Sequence, residues 1–195
     1  MLRAAIGLIL IMALPASADC PAAKDASRIA VAGGSLTEIL YFLSEEDRIV
    51  AVDTTSTYPQ VAMERFPSVG YVRNLSAEGL LSLEPTLVLG ENDMGPPEVL
   101  EQLTKTGVQI VSVAEEHDAA GIIAKVRCLA GVIGSDPGAA ERKLAAVVQT
   151  LSEVRPVQAR VAMLFGLRQG VPMVAGSNTS GHGFLKMSGA GNLFE

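Results

Sequence analysis

A tyrosine with a cation two residues away is the feature most suggestive of chemistry. In Val69-Gly70-Tyr71-Val72-Arg73-Asn74-Leu75 the phenol of Tyr71 lies between small and apolar neighbours, with the guanidinium of Arg73 close in sequence. An ionised phenol is a hard anionic oxygen that suits Fe(III), and tyrosine is one of the axial ligand types of haem iron. A nearby cation favours the phenolate over the neutral form, whose ordinary pKa is about 10. The residues alone suit a tyrosine of the core or its rim better than a ligand. The two histidines carry less. His117, in Glu115-Glu116-His117-Asp118, reads as part of a solvated turn. His182, in Ser180-Gly181-His182-Gly183, reads as a surface-loop residue whose flanking glycines leave a ligand role open. Cys20 and Cys128 have neither Cys-x-x-Cys nor Cys/His spacing, so no structural zinc is assigned.

Enzyme fingerprints fail on inspection. Gly33-Gly34, a following helix and strand, and then Asp53 imitate a dinucleotide-binding unit, in which an acid about 20 residues on grips a ribose. Counting from Gly33, however, the second and third glycines are replaced by Ser35 and Glu38, so the backbone cannot approach a pyrophosphate as that motif requires. No phosphate-binding loop, nucleophile elbow or HExxH pair is present. An α/β enzyme is accordingly disfavoured.

The elements that must position these residues follow from the pattern. With 195 residues, 49% hydrophobic and 18% charged, the chain can bury a core, which excludes general disorder. A net charge of -6 offers no basic footprint, which excludes nucleic acid as a partner and a basic membrane-surface patch. Short β-branched runs at 28–32, 49–52, 86–89 and 109–113 alternate with helical stretches and predict a parallel α/β sheet. Ser35 and Glu38 have capping-box spacing at the start of a helix running to about Leu43. Pro97 near N1 and Gly107 at C′ bound another helix, and Asp118 and Gly134 a third. From Pro137 to about Val154 the chain runs without Gly or Pro beyond Gly138, with Leu144, Val147, Val148 and Leu151 at helical spacing, and predicts one long helix. A second strand pattern follows at 160–167 and 171–174, then a Gly-rich stretch from Gly176 to Gly191.

The N-terminus reads as a secretory signal. Arg3 precedes the apolar run Ala4 to Leu14, and Ala16-Ser17-Ala18 ends it, predicting cleavage after Ala18 and a periplasmic protein. The apolar run is too short to span a bilayer. Asp19 occupies the place where a lipoprotein signal wants a small residue before Cys20. In an oxidising compartment Cys20 and Cys128 either form one disulfide or remain two free thiols, and spacing does not decide between them.

Several motifs in order resemble one family. Gly33-Gly34-Ser35-Leu36-Thr37-Glu38-Ile39-Leu40, Val52-Asp53-Thr54-Thr55-Ser56-Thr57-Tyr58-Pro59, and the run from Val69 through Ser76-Ala77-Glu78-Gly79 are followed by Leu83-Glu84-Pro85 and Gly95-Pro96-Pro97. Together they resemble the periplasmic haem-binding proteins of bacterial haem ABC importers, from about Arg28 to the C-terminus. The resemblance implies an α/β two-lobe binding protein with a long inter-lobe helix: signal peptide 1–18, N-terminal lobe 19–135, backbone helix 136–155, and the start of a truncated C-terminal lobe at 156–195. It implies capture of ferric haem as transported ligand, without catalysis. Delivery is to an ABC permease with its ATPase, with an outer-membrane haem receptor upstream.

By the same resemblance Tyr71 matches the axial tyrosine, Arg73 is a propionate or phenolate partner, and Glu78 resembles the acid that docks on the permease. Thr55, Ser56 and Tyr58 are candidate haem contacts from their loop position, and His182 is a further candidate. Arg168 and Gln169 stand where some relatives present a histidine, which removes support for a second ligand there. A ferric siderophore or a corrinoid is the alternative ligand. Too few strands follow Arg160 to cover a sheet, so Phe165, Leu167, Phe184 and Phe194 are expected to lack partners and the tail beyond about Gly176 to pack poorly.

Overall fold

The computed structural model describes residues 20–195. The expected signal peptide lies outside the described residues. The chain begins with β1 (Ile29–Ala32), α1 (Gly34–Phe42), β2 (Ile49–Val52), α2 (Val61–Arg65), β3 (Gly70–Tyr71), β4 (Asn74–Leu75) and α3 (Ala77–Ser82). It continues through β5 (Leu87–Glu91), α4 (Pro97–Lys105), β6 (Gln109–Val113), α5 (Ala119–Ile133) and α6 (Gly138–Ser152). The last elements are β7 (Arg160–Val161), β8 (Leu164–Arg168), β9 (Val171–Val174), α7 (Ser180–Met187) and β10 (Gly191–Asn192).

The four expected strands form one parallel sheet in the order β2-β1-β5-β6, with β1 in register Ile29 to Leu87 and Val31 to Leu89. All four residues of β1 are buried, because helices cover both faces of the sheet and an apolar run without alternation suits that position. Successive side chains nevertheless point to opposite faces. Ile29 and Val31 meet Leu36 and Leu40 of α1 and Leu129 of α5 on one side. Ala30 and Ala32 meet Leu80 of α3 and Leu103 of α4 on the other. Each fully buried leucine contributes roughly 2 kcal/mol of apolar burial.

The expected caps of α4 and α5 are present: Pro97 opens α4, the Asp118 carboxylate accepts the Gly121 N–H at 2.7 Å, and Gly134 closes α5 in the left-handed region. The Ser35/Glu38 capping box is not formed. Gly33, at φ 145°, is the N-cap, and the Gly33 and Gly34 N–H groups donate to Asp53 and to the Thr55 hydroxyl. With those donors satisfied from the β2 loop, Ser35 is free to turn elsewhere.

Beyond α6 the strand pattern departs from expectation. The run 160–167 is not one strand, since β7 pairs in parallel with β10 while β8 forms an antiparallel hairpin with β9. The Gly-rich stretch contains α7, and His182 is therefore a helical residue rather than a loop residue. Its N–H is taken by the Thr179 cap at 3.2 Å. Phe165, Leu167, Phe184 and Phe194 are exposed as expected. The expected poor packing beyond Gly176 is not seen, because Leu185 is buried and Asn192 donates from its buried amide to the Ala175 carbonyl at 2.9 Å.

Cys20 and Cys128 are joined by a disulfide, which resolves the open alternative and ties the N-terminal arm to α5. The Ala23 N–H, donating to the Val132 carbonyl at 2.8 Å, reinforces that seam. Among the described residues no helix is long and apolar enough to cross a membrane.

Candidate functional site

The carboxyl ends of parallel strands are where open α/β sheets bind ligands. At this edge the chain gathers Gly33, the loop Asp53 to Tyr58, the loop Glu91 to Pro96, and the β3–β4 hairpin that carries Tyr71.

The hairpin backbone is fixed from both sides. Val69 N–H donates to the Val52 carbonyl and Thr54 N–H to the Gly70 carbonyl, at 2.9 and 2.8 Å. On the other flank Gly95 N–H donates to Val72 and Leu75 N–H to Gly95, both at 2.9 Å. Val69, Val72 and Leu75 are buried beneath it. Gly70 is required here, because at φ +100° a Cβ would lie 2.8 Å from the Asn74 carbonyl oxygen. The fixed backbone leaves the Tyr71 side chain 45% exposed.

Arg73 is held beside it. Its Nε donates to Oδ2 of Asp93 at 2.8 Å, and Nη2 lies 2.7 Å from the same oxygen as an ion-pair contact. The Asp93 hydrogen bond, followed by the negative charge that Tyr71 carries when ionised, raises the Arg73 pKa above its ordinary value. The cation is thus permanent and electrostatically linked to Tyr71.

The loop after β2 faces two ways. Asp53 is fully buried, and its carboxylate accepts from Gly33 N–H, Thr55 N–H and the hydroxyls of Thr55 and Ser56 at 2.9 to 3.0 Å. No oxygen is left free to grip a ribose. The Ser56 hydroxyl is buried and also pairs with Thr37 at 2.8 Å, so it braces the loop from inside. Thr55 is half-buried and spends its hydroxyl on Asp53 and Gly34. Tyr58 is 67% exposed. Glu78 is exposed in the first turn of α3, behind the Ser76 cap, whose hydroxyl accepts the Gly79 N–H at 3.0 Å.

The structure does not bring His182 into this group. It lines a separate crevice of about 550 Å³ between the Glu115 to Asp118 turn and α7, and Tyr71 is not among the walls of that crevice. His182 Nδ1 faces the Asn192 amide at 3.3 Å. Close packing of Gly183 against the His117 carbonyl leaves no room for a Cβ there.

Three groups escaped the sequence reading. Asp93 lies 20 positions from Arg73, and Glu91 lies 34 from Lys125, so no local spacing links either pair. Lys125 on α5 is only 8% exposed and reaches Glu91 Oε1 at 2.5 Å and the Ser35 hydroxyl at 2.7 Å, while Ser35 donates to Glu91. The only sequence signal was a lysine in the middle of a helix whose one other charged residue is Arg127. Beside this cluster, Glu38 borders an apolar cavity of about 380 Å³ lined by Ile39, Phe42 and Leu144, and desolvation raises its carboxyl pKa.

Comparison with known proteins adds the family. Residues 29–195 match the family model described as periplasmic binding protein. The fold is similar to that of the periplasmic haem-binding protein HutB of Vibrio cholerae, with TM-score 0.77 and 32% identity over 86% of this chain and 66% of that one. A periplasmic haem-binding protein from Pseudomonas aeruginosa aligns with TM-score 0.74 and 37% identity over 86% of this chain and 63% of that one. A vitamin B12-binding protein of Yersinia pestis is 33% identical over 107 residues, 55% of this chain and 35% of that protein. The chain thus spans about a third of the length of that curated relative and just under two-thirds of the solved ones. On the match across 29–195 and the shared sheet architecture, the chain belongs to the periplasmic binding protein family.

Proposed function

We propose that this chain is an extracytoplasmic binding protein that captures ferric haem through Tyr71 and passes it to the permease of an ABC importer. The observation that carries the reading is a half-exposed phenol on a fixed hairpin at the ligand-binding edge of the sheet, with a guanidinium pinned beside it. As the phenol oxygen binds iron its proton leaves to solvent, and Arg73 stabilises the oxyanion or accepts a propionate. Tyr58 offers an aromatic face from the neighbouring loop, while Thr55 and Ser56 hold that loop in shape.

The solved relatives named as haem-binding proteins support this ligand. In this reading residues 1–18 direct export, 19–135 form the N-terminal lobe, 136–155 the connecting helix and 156–195 the start of the second lobe. The exposed Glu78 meets a basic pocket on the permease, haem arrives by way of an outer-membrane receptor, and the importer's ATPase drives uptake for iron acquisition. The chain itself carries out no reaction.

Titrating the purified protein with hemin tests the reading. A ferric spectrum characteristic of tyrosinate ligation is expected, and an unperturbed hemin spectrum overturns it. The vitamin B12-binding relative favours a corrinoid as the second reading. Cyanocobalamin added under the same conditions is expected to show no saturable binding, and saturable binding in preference to hemin would establish the corrinoid instead.

A further inference from the structure

Building on the haem reading above, we propose that Asp93 is the positioning residue of the site: it holds the Arg73 guanidinium edge-on so that the remaining N–H groups face a ligand bound at Tyr71. The argument begins with what the ion pair does not do. Arg73 and Asp93 side chains are 64% and 41% exposed, and ion pairs so exposed add little to stability. Nor is the pair needed to join the two loops, since Gly95 N–H to Val72 and Leu75 N–H to Gly95 already lace them together on either side. What the pair does fix is direction. The Nε N–H donates to Oδ2 and Nη2 lies against the same oxygen at 2.7 Å, so one edge of the guanidinium faces the carboxylate. The N–H groups away from that edge remain for an anionic acceptor, and a planar fork held along one edge loses less freedom when it binds a carboxylate or an oxyanion. The same short loop supplies Glu91 to the Lys125 pair at its other end, so Asp93 sits on backbone that is anchored at both sides.

The test is a double-mutant cycle in the full chain, read by hemin titration and the ferric absorption spectrum. Asp93→Ala is expected to weaken hemin binding roughly two- to fivefold, the scale of an exposed ion pair, and to shift the ferric spectrum, with Asp93→Glu restoring part of both. In an Arg73→Met background the Asp93→Ala change is expected to have no further effect, because there is no guanidinium left to orient. An equal effect in that background, no effect in either, or tighter binding by Asp93→Ala each overturns the inference while leaving the haem reading intact. A wild-type protein that leaves the hemin spectrum unperturbed overturns both.

Discussion

The carboxylate of Asp53 accepts the N–H of Gly33 at 3.0 Å, joining the end of β2 to the glycine that opens α1. The same buried side chain satisfies the Thr55 N–H and two hydroxyls, so one residue organises the start of a helix and an entire ligand-side loop. Asp53→Ala strands the buried N–H of Gly33 and the half-buried N–H of Thr55 and is expected to cost about 2 to 4 kcal/mol. Urea unfolding should show a lower midpoint with an unchanged slope. An unchanged midpoint would mean that those donors find other partners.

Tyr71→Phe keeps the ring and removes only the oxygen. Because the hairpin is held by backbone hydrogen bonds and by Val69, Val72 and Leu75 beneath it, thermal stability is expected to stay within about 0.5 kcal/mol of wild type, as for an exposed position. Hemin affinity should fall by about tenfold or more, since a metal ligand is lost. Equal affinity with an unchanged spectrum would show that Tyr71 is not the ligand.

Lys125 and Glu91 form a pair that is 8% and 16% exposed. Removing the cation with Lys125→Met leaves Glu91 buried without its charge partner and is expected to destabilise by about 3 kcal/mol or more. The double change Lys125→Met with Glu91→Leu should recover most of that loss, because both desolvation penalties then disappear. Thermal melts of the three variants decide it, and additive losses would count against a coupled pair.

The Cys20–Cys128 bond closes a loop with a sequence separation of 108. Chain entropy of a loop that long predicts stabilisation of about 4 to 5 kcal/mol. Mass spectrometry of exported protein should find both thiols blocked to alkylation without reductant, and reduction should lower the melting temperature markedly. Two alkylatable thiols in unreduced, folded protein would contradict the bond.

The sequence by itself determined the parallel sheet and the residue placed at its edge. Apolar runs such as Ile29–Ala32 and Ile49–Val52 are buried on both faces, and that requirement is written locally in residue type. Pro97, Gly107, Asp118 and Gly134 punctuate α4 and α5 through backbone geometry that is likewise local. Tyr71 stood out as a candidate because its cation lies two positions away, and the resemblance of the surrounding motifs singled it out from a tyrosine of the core. Partner choice was not legible, because it depends on which segments meet in space. Ser35 has capping-box spacing, yet Asp53 and Thr55 reach the helix start from 20 and 21 residues away and leave its hydroxyl to Glu91 and Lys125. The run 160–167 has strand character throughout, but β10 and β9 compete for its two ends and divide it. His182 reads as a loop residue by its glycines, whereas the Thr179 cap and burial of Leu185 make that stretch a helix. Asp93 acquires its partner only when β5 and the β3–β4 hairpin are brought side by side, because a salt bridge has no periodicity in sequence and is decided by tertiary distance alone.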